Sequence, residues 1–101
     1  MRGELFWAEV VHDDGAVKRR PVLELSAPEL RSPIVVPVTS TVRGLPSEVP
    51  IELGSVSGVL NTIAAGPIRR ENLTASIGLV PDGVMGQVCR AMAWTTGCRV
   101  Q

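Results

Sequence analysis

With one histidine, two cysteines and no tyrosine, the chain has few side chains able to do chemistry, and most of them fall in short clusters. Lys18-Arg19-Arg20 stands directly before Pro21-Val22-Leu23. An arginine held where a basic loop meets a rigid strand suits bidentate contact with a phosphate; its structural alternative is pairing with a carboxylate such as Glu24 or Glu48. Thr39-Ser40-Thr41 follows the branched apolar run Ile34 to Val38 and sets three hydroxyls at a strand end. His12 is the only histidine, and imidazole titrates near neutrality, so it is either a general base or a solvated loop residue. Arg69-Arg70 is a second basic pair, phosphate-binding or solvated. Cys89 and Cys98 on one helix would stand roughly 13 Å apart at 1.5 Å per residue, beyond disulfide reach. Two cysteines and one histidine make no metal site.

At 101 residues the chain makes one domain, 1–101, with room for one core. Ten basic and ten acidic side chains cancel, so an anionic ligand must be met by a local patch, either Lys18, Arg19 and Arg20 or Arg69 and Arg70. The hydrophobic fraction, 45%, is generous for so small a body and predicts apolar surface shared with a second copy, a homodimer. No charged lead followed by a long apolar stretch is present, and no run approaches the ~20 residues that span a bilayer. The expectation is a soluble, cytoplasmic protein with no membrane partner.

The elements that must position these groups are mostly strands. Glu4 to Val11 alternates, with Leu5, Trp7, Glu9 and Val11 on one face and Phe6, Ala8 and Val10 on the other. Residues 12–19, with Asp13-Asp14-Gly15, read as a polar loop, and Arg20 to Leu25 as the second strand. Ser26-Ala27-Pro28-Glu29 resembles a helix start of a single turn. Ile34 to Val38 forms a strand in which Pro37 marks a bulge or an unpaired edge. After the turn Arg43-Gly44-Leu45-Pro46, Val49, Ile51 and Leu53 alternate as its hairpin partner. Gly54 to Gly58 reads as a flexible link, Val59 to Asn61 as a short strand, residues 63–68 as a segment broken by Gly66 and Pro67, and Arg69 to Asn72 as a turn. Thr74 to Leu79 is a last strand. Pro81 opens a helix that runs to Thr96 and closes on Gly97, burying a face of Val84, Val88, Ala91 and Thr95 with Met85, Cys89 and Met92. All three aromatic side chains are expected inside, leaving no stacking platform for bases.

Val38-Thr39-Ser40-Thr41 followed by Arg43-Gly44-Leu45-Pro46-Ser47-Glu48-Val49 resembles the MazF/PemK family of toxin endoribonucleases. Arg2-Gly3-Glu4, Arg19-Arg20-Pro21-Val22-Leu23 and Gly78-Leu79-Val80-Pro81 before a C-terminal helix agree with it, in the same order along most of the chain. The resemblance implies a mainly β fold with a C-terminal helix (α+β), a small Src-homology-3-like β-barrel of the MazF/PemK/CcdB type with five to seven strands, homodimeric. It implies the toxin of a type II toxin–antitoxin system, a sequence-specific endoribonuclease that needs no metal or cofactor and cuts single-stranded mRNA to arrest translation. The products are a cyclic phosphate and a free 5′-hydroxyl.

By position, Arg20 and Thr39 match the family's catalytic pair, with Arg2, Lys18, Arg19, Ser40 and Asn61 as substrate-binding residues and His12 as a possible base. A guanidinium does not deprotonate in proteins, so Arg20 is expected to clamp charge rather than move a proton. The implied partners are single-stranded RNA and a MazE-like antitoxin with an acidic C-terminal segment. The loop at 12–19 is shorter than in the family. Where the family carries an acid, an amide and a basic residue after the asparagine, this chain has Ile63, Ala64 and Gly66. Two alternatives follow: a non-catalytic barrel that binds a protein such as gyrase, or an inactive paralogue that sequesters antitoxin.

Overall fold

The computed structural model describes residues 1–26 and 30–98. β1 (Glu4–Val11) and β2 (Val17–Glu24) form an antiparallel hairpin closed by residues 12–16. In the turn, Asp14 Oδ1 accepts the Ala16 N–H at 2.9 Å, the His12 carbonyl accepts the Gly15 N–H at 2.9 Å, and Gly15 supplies the positive φ of 81°. The hairpin is zipped further than its polar composition suggests. Val17 faces Val11 and Lys18 faces Val10, so Lys18 and Arg19 are strand residues, not loop residues. Cross-strand β-branched pairing accounts for the extension.

β3 (Ile34–Thr39) lies against β2, with Leu23 opposite Val36 and Val22 opposite Pro37. Pro37 stands at a locally unpaired edge rather than at a bulge. On the other side of β3, β6 (Gly66–Pro67) pairs with Ile34 and Val35, and β5 (Val56–Asn61) with Val38 and Thr39. The proline thus falls in the gap between two partners, where a missing donor costs no ladder bond on that side.

β4 (Glu48–Leu53) pairs with β5, so the expected hairpin of β3 with β4 is not formed. Gly54, at φ 58°, and Ser55 make a two-residue turn from Leu53 to Val56, and the segment read as a flexible link is a tight hairpin. β7 (Leu73–Leu79) adds to the free side of β1, giving the order β4-β5-β3-β2-β1-β7. The sheet curls until its ends approach: a Cβ on Gly78 of β7 would stand 3.6 Å from Leu53 Cδ2 of β4. Short 3-10 turns at Thr62–Ala64 and Arg70–Asn72 bracket β6.

Helix α1 (Asp82–Thr96) starts after Pro81 and ends on Gly97 in the left-handed conformation, as the glycine and proline positions predict. Val88 and Ala91 are buried, and Val84, Met85 and Met92 pack beside them against Leu5, Leu23, Val36 and Leu60 of the sheet. Cys89 is not on that face: it is exposed, with its Sγ 3.3 Å from Arg2 Nη2. Both cysteines are free. Trp94 is also outside, 54% exposed, contrary to the expectation that every aromatic ring is buried. The helical turn expected after Ser26 falls on residues 27–29, outside the described residues; Ser26 Oγ itself accepts the Ile34 N–H at 2.8 Å. Among the described residues no helix is long and apolar enough to cross a membrane.

One charge lies inside this frame. The Glu24 side chain is fully buried, and its carboxylate lies 3.2 Å from the Met1 ammonium and 3.4 Å from Arg70 Nη2. Arg70, one of the pair read as phosphate-binding or solvated, is therefore committed to the fold. It also donates to the Leu30 carbonyl at 3.2 Å. Because both cations remain partly in water, Glu24→Gln should cost only about 1 kcal/mol, measured by urea unfolding.

Candidate functional site

Residues directly opposite one another on antiparallel strands share a face of the sheet. Leu5, Leu23 and Val36 form one such row and face the helix. Phe6, Val22 and Pro37 form the next row and face away from it. Arg20, opposite Ala8, is two residues before Val22, and Thr39 is two residues after Pro37. Extending the β2–β3 register by one step on this face sets Arg20 opposite Thr39, just where the ladder opens. Lys18, opposite Val10, continues the same row outward.

The register on the far side of β3 carries the face onward. Thr39 is opposite Val59, and Asn61, two residues further along β5, is opposite Glu48. Lys18, Arg20, Thr39 and Asn61 therefore stand on one face of the sheet, opposite the helix. Ser40 is exposed at the bend after Thr39.

Other expected contributors are elsewhere. Arg19 alternates to the helix side, where its guanidinium lies 5.1 Å from the centre of the Trp7 ring, a contact worth about 0.5–1 kcal/mol at an exposed site. Arg2 donates to the Leu25 carbonyl at 3.2 Å and lies against Cys89 of the helix. His12 is at the far end of the β1–β2 hairpin, four residues beyond Ala8, or roughly 13 Å at strand rise. Its Nε2 is buried with no hydrogen-bond partner among the described residues. The fold does not bring Arg19 or Arg2 to the Arg20 face, and His12, which alternates to the same side as Ala8 and Val10, stands well along the hairpin from Arg20.

Arg20 is exposed and makes no ion pair among the described residues. The carboxylates that could have claimed it are engaged: Glu24 as above, and Glu48 with the backbone of the β3–β4 loop. Two hollows flank the Arg20–Thr39 row. One, about 450 Å³, is lined mainly by apolar groups including Val10, Val22, Val35, Pro37, Ala64 and Ile68, with Glu9, Arg69 and Asn72 among its polar lining. The other, about 100 Å³, is polar and is lined by Thr39, Thr41, Arg43, Leu45, Glu48, Asn61 and Ile63. Of the positions where family polar residues are replaced, Ile63 faces the small hollow and Ala64 and Gly66 the large one.

Glu48, which the sequence offered only as a motif residue and as a possible ion-pair partner of Arg20, is held by backbone amides instead. Its carboxylate accepts backbone N–H groups from Arg43, Gly44 and Leu45 at 2.8–3.2 Å. Burial pushes its pKa up, but the N–H donors of Arg43, Leu45 and Gly44, with the Arg43 charge, outweigh it and hold Glu48 below the ordinary glutamate range. With the folded value depressed, the loop is stabilised above the ordinary value and released as pH falls through the lowered one. In an acid titration followed by NMR, the amide protons of Arg43, Gly44 and Leu45 should shift together, with a midpoint below that of a free glutamate.

The sequence matches, over residues 1–95, the family described as "PemK-like, MazF-like toxin of type II toxin-antitoxin system". It is 33% identical over 105 aligned residues to the probable endoribonuclease MazF5 of Mycobacterium tuberculosis, covering 96% of this chain and 93% of that protein. Among solved structures, the M. tuberculosis toxin MazF-mt6 superposes with a TM-score of 0.82 at 27% identity, over 96% of this chain and 99% of that one. MazF in a MazE–MazF crystal structure from Deinococcus radiodurans superposes at 0.80 and 26% identity, over 97% and 96%. The chain belongs to the PemK-like, MazF-like toxins of type II toxin–antitoxin systems.

Proposed function

We infer that this chain is an endoribonuclease toxin that cuts single-stranded RNA at the Arg20–Thr39 row. The observation that carries the reading is the register, which sets an unpaired guanidinium and a threonine hydroxyl on one face of neighbouring strands. In the reaction, a ribose 2′-hydroxyl attacks the adjacent phosphorus and the bond to the 5′ oxygen breaks. The 2′ proton passes to a base and the leaving oxygen gains one, giving a cyclic phosphate and a 5′-hydroxyl. Charge builds on the phosphoryl oxygens. Arg20 binds them through paired N–H donors. Thr39 Oγ1 already accepts the Thr41 N–H at 3.2 Å, which leaves its O–H proton free to donate to the same phosphate. Lys18 extends the contact along β2, Asn61 extends it from β5, and Ser40 adds a hydroxyl at the bend.

The toxin acts in the cytoplasm as a homodimer, and an antitoxin with an acidic segment covers the basic row; the Deinococcus MazE–MazF structure supports such a pairing. A solution mass near twice 10.7 kDa is the expected reading in light scattering. The decisive experiment incubates the purified protein with single-stranded RNA in EDTA and maps the fragment ends. Cyclic phosphate and 5′-hydroxyl termini are expected. Intact RNA at high protein concentration would sink the reading. If antitoxin still bound tightly, the protein would be a sequestering paralogue, a reading favoured by the apolar replacements Ile63 and Ala64; if gyrase bound, it would be a gyrase-directed barrel.

A further inference from the structure

The loop between β3 and β4 carries the hydroxyls that follow Thr39, and it is pinned at both ends. At its start, the Thr41 N–H donates to Thr39 Oγ1 at 3.2 Å. At its finish, the Glu48 carboxylate accepts the Arg43 N–H on both oxygens, at 3.0 and 3.1 Å, and on Oε1 also the N–H groups of Gly44 at 2.8 Å and Leu45 at 3.2 Å. The Glu48 N–H in turn donates to the Leu45 carbonyl at 3.0 Å. Gly44, at φ 73°, turns three successive N–H groups inward, the form of an anion-binding nest, and the anion is supplied from within the chain. Glu48 stands on rigid backbone, opposite Asn61 in the β4–β5 hairpin.

The loop between the two pins is short, and both pins line the same small polar hollow. Where Glu48 holds Arg43 to Leu45, it also limits where Thr41 can lie. Thr41 in turn fixes which lone pair of Thr39 Oγ1 is used and so where its proton points. We propose that Glu48 is a positioning residue of the RNA-cleaving site, clamping the loop so that the Thr39 hydroxyl is aimed at the scissile phosphate. This rests on the roles given above to Arg20 and Thr39.

The test compares wild type with Glu48→Gln and Gly44→Ala in single-stranded RNA cleavage and in amide hydrogen exchange. Glutamine keeps the size of the side chain but replaces one acceptor with a donor facing the nest. Alanine at 44 meets no atom within 4 Å yet strains the left-handed backbone, so it disturbs the nest from the opposite side. Each variant should lower kcat about tenfold, within what small misplacements of catalytic groups cost, while KM stays within about twofold. The amides of Arg43, Gly44 and Leu45 should exchange faster in Glu48→Gln and those of the β1–β2 hairpin should not. Faster loop exchange with unchanged kcat would overturn the proposal, as would unchanged exchange at 43–45. If Glu48→Gln fails to fold, the kcat-against-KM split in Gly44→Ala decides alone. Inactive wild-type protein would instead bring down the nuclease reading and the proposal with it, whereas an active wild type with fully active variants removes the proposal only.

Discussion

Arg20→Ala is expected to slow RNA cleavage by about 10²- to 10³-fold, the usual loss when one preorganised donor to a developing oxyanion is removed. The melting temperature should barely move. Arg20 is exposed, forms no ion pair among the described residues and stands opposite a small alanine, so the fold gains little from its side chain. Arg20→Lys should recover only part of the rate, because an ammonium cannot hold two phosphoryl oxygens at once. The comparison has a control in the neighbouring residue: Arg19 faces the helix side over Trp7, so Arg19→Ala should cost stability of up to about 1 kcal/mol and leave the cleavage step nearly intact. Single-turnover rates on a short RNA, with thermal melts of the same samples, separate the two. Equal losses of rate from both substitutions would mean that the basic stretch acts as a diffuse patch and that strand alternation does not select Arg20.

That contrast also marks what could be read from the chain alone. Strand period was legible, and it split Leu5 and Trp7 from Phe6 and Ala8 correctly because each residue's exposure is set locally by alternation. The helix from Asp82 to Thr96 was legible for a similar reason, since Pro81 and Gly97 act through their own backbone preferences. Strand partners were not. The β3–β4 hairpin was expected because the two strands are neighbours in sequence, but the Gly54-Ser55 turn closes sooner and brings β5 into the place β4 would have taken. Pro37 did announce an unpaired point on β3, but not the change of partner on either side of it, which no local pattern encodes.

For the proposed site, the family motifs pointed to Arg20 and Thr39, yet the basic run could not say which cation shares a face with Thr39. Alternation assigns Lys18 and Arg20 to one side and Arg19 to the other only once the hairpin is known to extend to Val17. Arg2 came in with the family stretch Arg2-Gly3-Glu4 and His12 by residue type, and long-range geometry holds Arg2 against Leu25 and the helix. Glu48 was hidden because its partners are backbone amides, which every residue has. A usable signal was present in Gly44 with a carboxylate four positions on, the pattern of a left-handed turn wrapped around an acid.

Gly58→Ala should unfold the protein more readily and, in what remains folded, displace Thr39. Gly58 lies on β5 beside the end of β3, at φ 159°, and a Cβ built on it would come 2.5 Å from the Thr39 carbonyl oxygen and 3.2 Å from Val38 Cγ1. A carbonyl in a ladder cannot swing aside as a flexible side chain would. The strands must part, which weakens the pairing of Val38 with Leu60 and Thr39 with Val59. Overpacking of this kind costs about 2 kcal/mol, a fall in Tm on the order of 10 °C for a domain of this size. The displacement bears on the one hydroxyl that the mechanism requires, so kcat at a temperature where the variant is folded should also drop, with RNA affinity retained through Arg20 and Lys18. Gly66→Ala is the matched control: glycine is again replaced beside β3, but the added methyl meets nothing within 4 Å. Because the added methyl would press on β3 at the Thr39 carbonyl and the Val38 side chain, a variant that melts early yet cuts at the wild-type rate when folded would show that the hydroxyl's position does not govern the chemistry.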